Sequence, residues 1–174
     1  MSNSSNKHKK KTLKKLNFAI FICSTSRYNQ NKNQIEDVSG DYIVKKIREA
    51  GHNVKIKKII ADDKNLIIKA LKEIFCLPDL HAAIFSGGTG VNSTDITIET
   101  INPLLEKILP GFGEIFRQIS FREIGSAAIL SRAIAGIVKD KVIYCIPGSP
   151  NAVRISVESL ILPETAHIVK HLRE

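Results

Sequence analysis

Short apolar runs without a polar break are what most constrain the fold of this chain. Residues 18–23 read Phe-Ala-Ile-Phe-Ile-Cys, and residues 82–85 read Ala-Ala-Ile-Phe. A strand with one face in water alternates apolar and polar positions, so unbroken runs belong to strands buried on both faces. Residues 54–60 read as a further strand. Between the first two strands a helix begins near Asp37 or Ser39, with Ile43, Val44 and Ile47 as its apolar stripe and Gly51 at the C′ position. Asp62 or Asp63 caps a second helix, whose Leu66, Ile67, Ala70, Leu71, Ile74 and Phe75 share one face. Further on, short helices break at Pro103 and Pro110. Residues 134–138 and 142–146 flank Lys139-Asp140-Lys141 as a hairpin, and a last helix from about Ser149 is interrupted at Pro163. Strands alternating with helices predict an α/β fold: three layers, α/β/α, around a mostly parallel central sheet with one C-terminal hairpin.

The chain has 174 residues, of which 43% are hydrophobic, enough for one domain with its own core. We assign that domain to residues 16–174. The net charge of +9 comes from 26 basic and 17 acidic residues. Six of the lysines (Lys7, Lys9, Lys10, Lys11, Lys14 and Lys15) lie in residues 1–15, a stretch without an acid, and without them the basic count falls to 20. Such a block reads as a disordered, solvated tail. The rest lacks the aromatic clusters and zinc-finger spacing of nucleic-acid readers, so nucleic acid is not expected as a partner. Cys23, Cys76 and Cys145 form no CxxC and read as core residues. No apolar run is long enough to span a membrane and no secretory leader is visible, so the expected location is the cytoplasm.

In an open α/β sheet, ligands bind beyond the carboxyl ends of the strands. Three unusual segments fall there: residues 23–27, 86–95 and 147–151. The middle one, Ser86-Gly87-Gly88-Thr89-Gly90-Val91-Asn92-Ser93-Thr94-Asp95, carries the most information. Its glycines permit positive φ and a close backbone approach, so successive N–H groups can converge on an anion. It is neither a Walker A loop nor a GxGxxG fingerprint, and a plain strand-to-helix turn satisfies the same spacing. Asp95 reads either as the N-cap of the next helix or as a carboxylate beside a polyphosphate, where Mg²⁺ is its natural partner. Asp62 admits the same two readings. Ser149 before Pro150 fits an N-cap with proline at N1. His167 and His171, spaced i, i+4, read as a solvated helix face.

Together these residues resemble the molybdenum cofactor biosynthesis MoaB/Mog family. The resemblance is carried by Ser86-Gly87-Gly88-Thr89-Gly90 with Asp95 five residues on, by Pro110-Gly111-Phe112-Gly113-Glu114, and by Phe116-Arg117-Gln118-Ile119-Ser120. Ile129-Leu130-Ser131-Arg132-Ala133, Pro147-Gly148-Ser149-Pro150, Ser24-Thr25-Ser26-Arg27 and Asp37-Val38-Ser39-Gly40 complete it. It implies molybdopterin adenylyltransferase chemistry, with ATP and molybdopterin as substrates and Mg²⁺ as cofactor. Asp62 and Asp95 would then be the catalytic, Mg²⁺-holding carboxylates. Ser24, Thr25, Ser26, Gly87, Gly88, Thr89, Gly90, Pro147, Gly148, Ser149 and Pro150 would bind the substrates. The resemblance also implies a homo-trimer or a hexamer, for which Phe112 and Phe116 are candidate interface residues. The alternatives are a catalytically silent molybdopterin-binding paralogue and a basic phosphate- or nucleic-acid-binding module.

Overall fold

In the computed structural model, which describes residues 15–30 and 36–174, the run expected at 18–23 is strand β1 (Asn17–Cys23), buried almost throughout. A single helical turn, α1 (Thr25–Tyr28), and helix α2 (Val38–Glu49) lead to β2 (Asn53–Ile60). Helix α3 (Lys64–Phe75) then leads to β3 (Ala82–Ser86). The Lys-rich segment 1–14 lies outside the described residues.

The ends of α2 follow from local chemistry. The Asp37 carboxylate accepts the Gly40 N–H at 2.9 Å. At the other end Gly51 adopts φ +84°, and its N–H and that of His52 return to the Arg48 and Ile47 carbonyls. This left-handed glycine satisfies two carbonyls that the helix end would leave open. Asp63, rather than Asp62, caps α3, accepting the Leu66 N–H at 2.9 Å. That leaves Asp62 available for another role.

Beyond β3 the structure departs from the expected pattern. Helix α4 (Thr97–Ile101) runs into a 3₁₀ turn (Asn102–Leu104) containing Pro103, followed by a two-residue strand β4 (Lys107–Ile108). Pro110 opens the fifteen-residue helix α5 (Pro110–Ile124) instead of breaking one; its missing N–H costs nothing in a first turn. A 3₁₀ stretch (Gly125–Leu130) follows, then the expected hairpin of β5 (Ile134–Val138) and β6 (Lys141–Ile146). The last helix is continuous: α6 (Pro150–Arg154), a π-helical segment (Ile155–Ile161) and α7 (Leu162–His171). Pro163 sits in the first turn of α7, just after the wider π segment, so it does not interrupt the helix.

The six strands lie in the order β2-β1-β3-β6-β5-β4. The pairs β1–β2, β1–β3 and β3–β6 are parallel, and β5 pairs antiparallel with β6 and β4. Alternate residues of the central strands feed two cores, as the two-residue period of a strand requires. Phe18, Ile20, Ile84 and Tyr144 pack with Ile43 and Ile47 of α2 and with Val153, Val157 and Ile161. Phe21, Phe85 and Cys145 pack with Ile67, Leu71 and Ile74 of α3. Phe21 and Phe85 stack with their centroids 5.0 Å apart. Full burial of each such side chain stabilises the fold by about 1.5–3 kcal/mol. The expected three layers are therefore present.

Two expectations about single residues need correction. Phe116 is fully buried against Ala133, Ala152 and Ile155; the exposed apolar residues of α5 are Ile115, Phe121 and Ile124. Cys23 and Cys145 are core residues, whereas Cys76, at the end of α3, is exposed.

Candidate functional site

From β1 the chain crosses to β2 at one edge and returns through α3 to β3 on the other side of β1. The reversal leaves a crevice at the carboxyl ends of β1 and β3, the usual ligand position in such sheets. The glycine turn after β3 fills its floor. The Gly87 N–H donates to the Ile146 carbonyl at 3.0 Å, and Gly87 and Gly88 adopt φ of +105° and +60°. Nothing larger than glycine fits at either place. A Cβ on Gly87 would stand 2.2 Å from the Cys23 carbonyl oxygen, and one on Gly88 would stand 2.3 Å from Asp62 Oδ1.

The carbonyls of Gly88, Thr89 and Gly90 are engaged on the protein side. Thr97 N–H donates to the Gly88 carbonyl at 2.9 Å. The Arg132 guanidinium reaches the other two, with Nε 2.8 Å from the Thr89 carbonyl and Nη2 2.7 Å from that of Gly90. Glu99 pairs with the same guanidinium, which holds the Glu99 carboxyl below its usual range. Among the described residues, no acceptor takes the N–H groups of Gly88, Thr89 or Gly90. With these carbonyls tied back and its amides open, the turn can receive an anion.

A cavity of about 460 Å³ opens over the turn. Gly87, Gly88, Thr89, Gly90 and Asp95 line one side, and Pro147, Gly148 and Ser149 face them. Hydroxyls of Ser120 and Ser131, the Asn151 amide, and apolar Ile124, Leu130 and Ile155 complete the wall. This mixture suits a polar heterocycle carrying phosphate. A second cavity of about 210 Å³ shares Gly87 and Gly148 and is lined by Ser24, Ser26, Ser39, Ser86 and Arg27. Ser86 Oγ is buried there without a hydrogen-bond partner. Four hydroxyls and a guanidinium make this smaller space suited to a second anion. Ser39 Oγ donates to the Gly148 carbonyl at 3.1 Å, so the start of α2 holds the last loop in place.

The two carboxylates singled out by sequence both lie against the turn. Asp95 faces the larger cavity. The N-cap reading of Asp95 is overturned, because Ile96 occupies the cap position of α4 without a side-chain hydrogen bond. Asp95 Oδ2 instead accepts the Asn92 N–H at 3.0 Å, which closes the tip of the loop. Asp62 sits behind Gly88 and lines neither cavity. Its Oδ2 accepts from Thr25 N–H and Oγ1 at 3.0 and 3.1 Å, while Oδ1 is buried without a hydrogen-bond partner. Thr25 thus orients Asp62 and stays clear of the cavities, as does Pro150, which lines a separate groove with Tyr42 and Arg154. Among the described residues, no three of His, Cys, Asp or Glu converge on one point. Neither Cys23, pushed up to about 12 by burial, nor Cys145, also raised well above its ordinary value by burial, can serve as a thiolate nucleophile.

Several site residues were given no role by the sequence: Ser120, Leu130 and Arg132 entered only as parts of the family-like motifs, and Ile124 not at all. Ser120, Ile124 and Leu130 reach the cavity only because α5 and the following 3₁₀ stretch fold back over it. Arg132 acts on residues 42 and 43 positions earlier. Asn151 is held by Glu123 Oε2 at 2.7 Å, and Glu123 is held in turn by Arg154 at 2.8 Å.

Residues 19–167 match the family model described as "Probable molybdopterin binding domain". Molybdopterin adenylyltransferase of Pyrococcus furiosus is 39% identical over 171 residues, covering 96% of this chain and 97% of its own. Molybdenum cofactor biosynthesis protein B of Bacillus subtilis is 38% identical over 156 residues, covering 89% and 92%. Among solved structures, the tungsten cofactor synthesizing protein MoaB from Pyrococcus furiosus superposes with a TM-score of 0.83 at 35% identity, over 93% of this chain and 99% of its own.

Proposed function

The chain belongs to the family of molybdopterin-binding domains, and on that premise we propose that it is a molybdopterin adenylyltransferase. In this reaction the terminal phosphate of molybdopterin attacks the α-phosphorus of ATP. A new P–O–P bond forms, the α–β bridging bond breaks, and pyrophosphate leaves. The observation that carries the reading is the shared cavity in which the glycine turn, with free amides, faces the 147–149 loop while Asp95 stands at its side.

Phosphoryl-type transfer needs little covalent help from side chains; positioning and charge neutralisation do most of it. The amides of Gly88, Thr89 and Gly90 receive phosphate oxygens, and Arg132 keeps those amides pointed outward. Pro147, Gly148 and Ser149 take the pterin side. Ser24, Ser26 and Arg27 bind the anionic end that extends into the smaller cavity. For Mg²⁺, the cavity-facing Asp95 carboxylate would be one hard oxygen donor of the kind this ion takes, and the buried, unpartnered Oδ1 of Asp62, across Gly88 from the cavity, would be the other. When bound, Mg²⁺ supplies positive charge against the polyphosphate.

The test is pyrophosphate release from ATP and Mg²⁺ with and without molybdopterin. We expect release that depends on molybdopterin. A folded protein that binds molybdopterin yet releases no pyrophosphate would reduce the site to a binding site. Ile115, Phe121, Ile124 and Ile129 are exposed on α5 and the 3₁₀ stretch after it, apolar surface that self-association into a homo-trimer or hexamer would cover. Light scattering should give that mass, and a monomer at micromolar concentration would contradict it. We place the protein in the cytoplasm, where ATP for the proposed reaction is supplied; separately, no helix among its described residues is long and apolar enough to cross a membrane.

A further inference from the structure

We propose that His167 and His171 form a binding site for a nitrogen-preferring divalent transition-metal ion, with both Nε2 atoms as ligands. Their spacing on α7 brings the two rings to 4.6 Å between centroids and the two Nε2 atoms to 2.9 Å. Each Nδ1 faces a carboxylate: His167 meets Glu164 Oε2 at 3.4 Å, and His171 meets Glu174 Oε2 at 3.1 Å. An Nδ1–H donated to a carboxylate fixes the tautomer and leaves Nε2 as a lone pair, the arrangement that supports metal-bound histidines. Two lone pairs directed at each other repel unless a metal ion or a shared proton lies between them, and the carboxylates on both Nδ1 atoms favour the metal ion. With metal–nitrogen bonds of ~2.0–2.1 Å, a 2.9 Å separation subtends about 90° at the ion. That is the angle between neighbouring ligands in the tetragonal geometries of Cu²⁺ and Ni²⁺.

The site is open, with the His171 side chain 55% exposed, so water can complete the coordination. Glu164 and Glu174 partly offset the ion's charge, Glu174 while also pairing with Lys170 at 3.3 Å. None of the four residues lines the cavity at the glycine turn. Imidazole nitrogens also have little attraction for Mg²⁺, which separates this pair from the carboxylates of the proposed active site. The ion would bridge one turn at the end of α7.

The test is Cu²⁺ titration of the full chain in millimolar Mg²⁺, read by electron paramagnetic resonance and by affinity. We expect one tight Cu²⁺ whose spectrum carries coupling to two imidazole nitrogens. His167→Ala and His171→Ala should each weaken it at least tenfold and remove one of the two couplings. Glu164→Gln with Glu174→Gln should weaken it on the order of tenfold. Saturating Ni²⁺ should also raise the melting temperature of the parent chain and leave the double histidine variant unchanged. An unchanged Cu²⁺ affinity and spectrum in that double variant would overturn the proposal. A spectrum without two-nitrogen coupling in the parent chain would do the same, and would make the close contact a proton shared between the rings. Pyrophosphate release does not enter any of these readouts, so the proposal stands or falls apart from the adenylyltransferase reading.

Discussion

Asp95→Asn should leave a folded, molybdopterin-binding protein whose pyrophosphate release is lowered a hundredfold or more. Asparagine keeps an oxygen that can accept the Asn92 N–H now held by Asp95 Oδ2, so the loop tip keeps its shape and the melting temperature should hardly move. What is lost is one negative charge facing the cavity. A hundredfold loss corresponds to about 2.7 kcal/mol of transition-state stabilisation, the scale of removing one well-placed electrostatic group. Asp63→Asn is the control. It lies next to Asp62 and caps α3, and asparagine caps about as well as aspartate, so turnover should stay normal. Asp62→Asn should lower turnover as Asp95→Asn does, and the pair should be less than additive because both act on one polyphosphate. Near-normal turnover in Asp95→Asn would leave it the loop-closing role alone.

Gly87→Ala should cost the protein about 3 kcal/mol of stability or more, and with it the activity. An alanine there must hold a positive φ, which costs about 1–3 kcal/mol by itself. Its methyl would also meet a backbone oxygen of β1, at 2.2 Å, and a central strand cannot yield as a flexible side chain would. For a domain of this size a 3 kcal/mol loss lowers the melting temperature by roughly 6–12 °C. Gly111→Ala gives the contrast. It lies in the first turn of α5, with nothing within 4 Å of its Cβ position, so alanine should leave stability equal or slightly raised. Thermal melts of the two variants side by side decide the matter. A Gly87→Ala protein melting within 2 °C or so of the parent would show that the turn can relax away from β1.

The features legible in the sequence were those that short-range chemistry dictates. Unbroken apolar runs marked the doubly buried strands, and Gly51 and Asp37 bounded α2 through hydrogen bonds closed within five residues. Ser-Gly-Gly-Thr-Gly after a buried strand located the ligand edge, because that backbone path is open only to glycine. The choice between Asp62 and Asp63 could not be made locally, since both precede the same helix; Thr25, 37 residues away, decides it by holding Asp62. Asp95 likewise could be read as a cap or as a site carboxylate, and the cap reading fell only when the loop closed on Asn92 and the helix began after Ile96.

By itself the sequence determined the layered fold, the parallel core and the place of the glycine turn, since periodicity and turn chemistry act over a few residues. Only the tertiary structure decided what surrounds that turn. Arg132 on its carbonyls, Ser39 on the last loop, the helix α5 that closes the cavity, and the meeting of His167 and His171 at 2.9 Å each depend on how packed elements or side-chain rotamers settle in space. Burial of the two cores fixes those positions, and no local propensity encodes them.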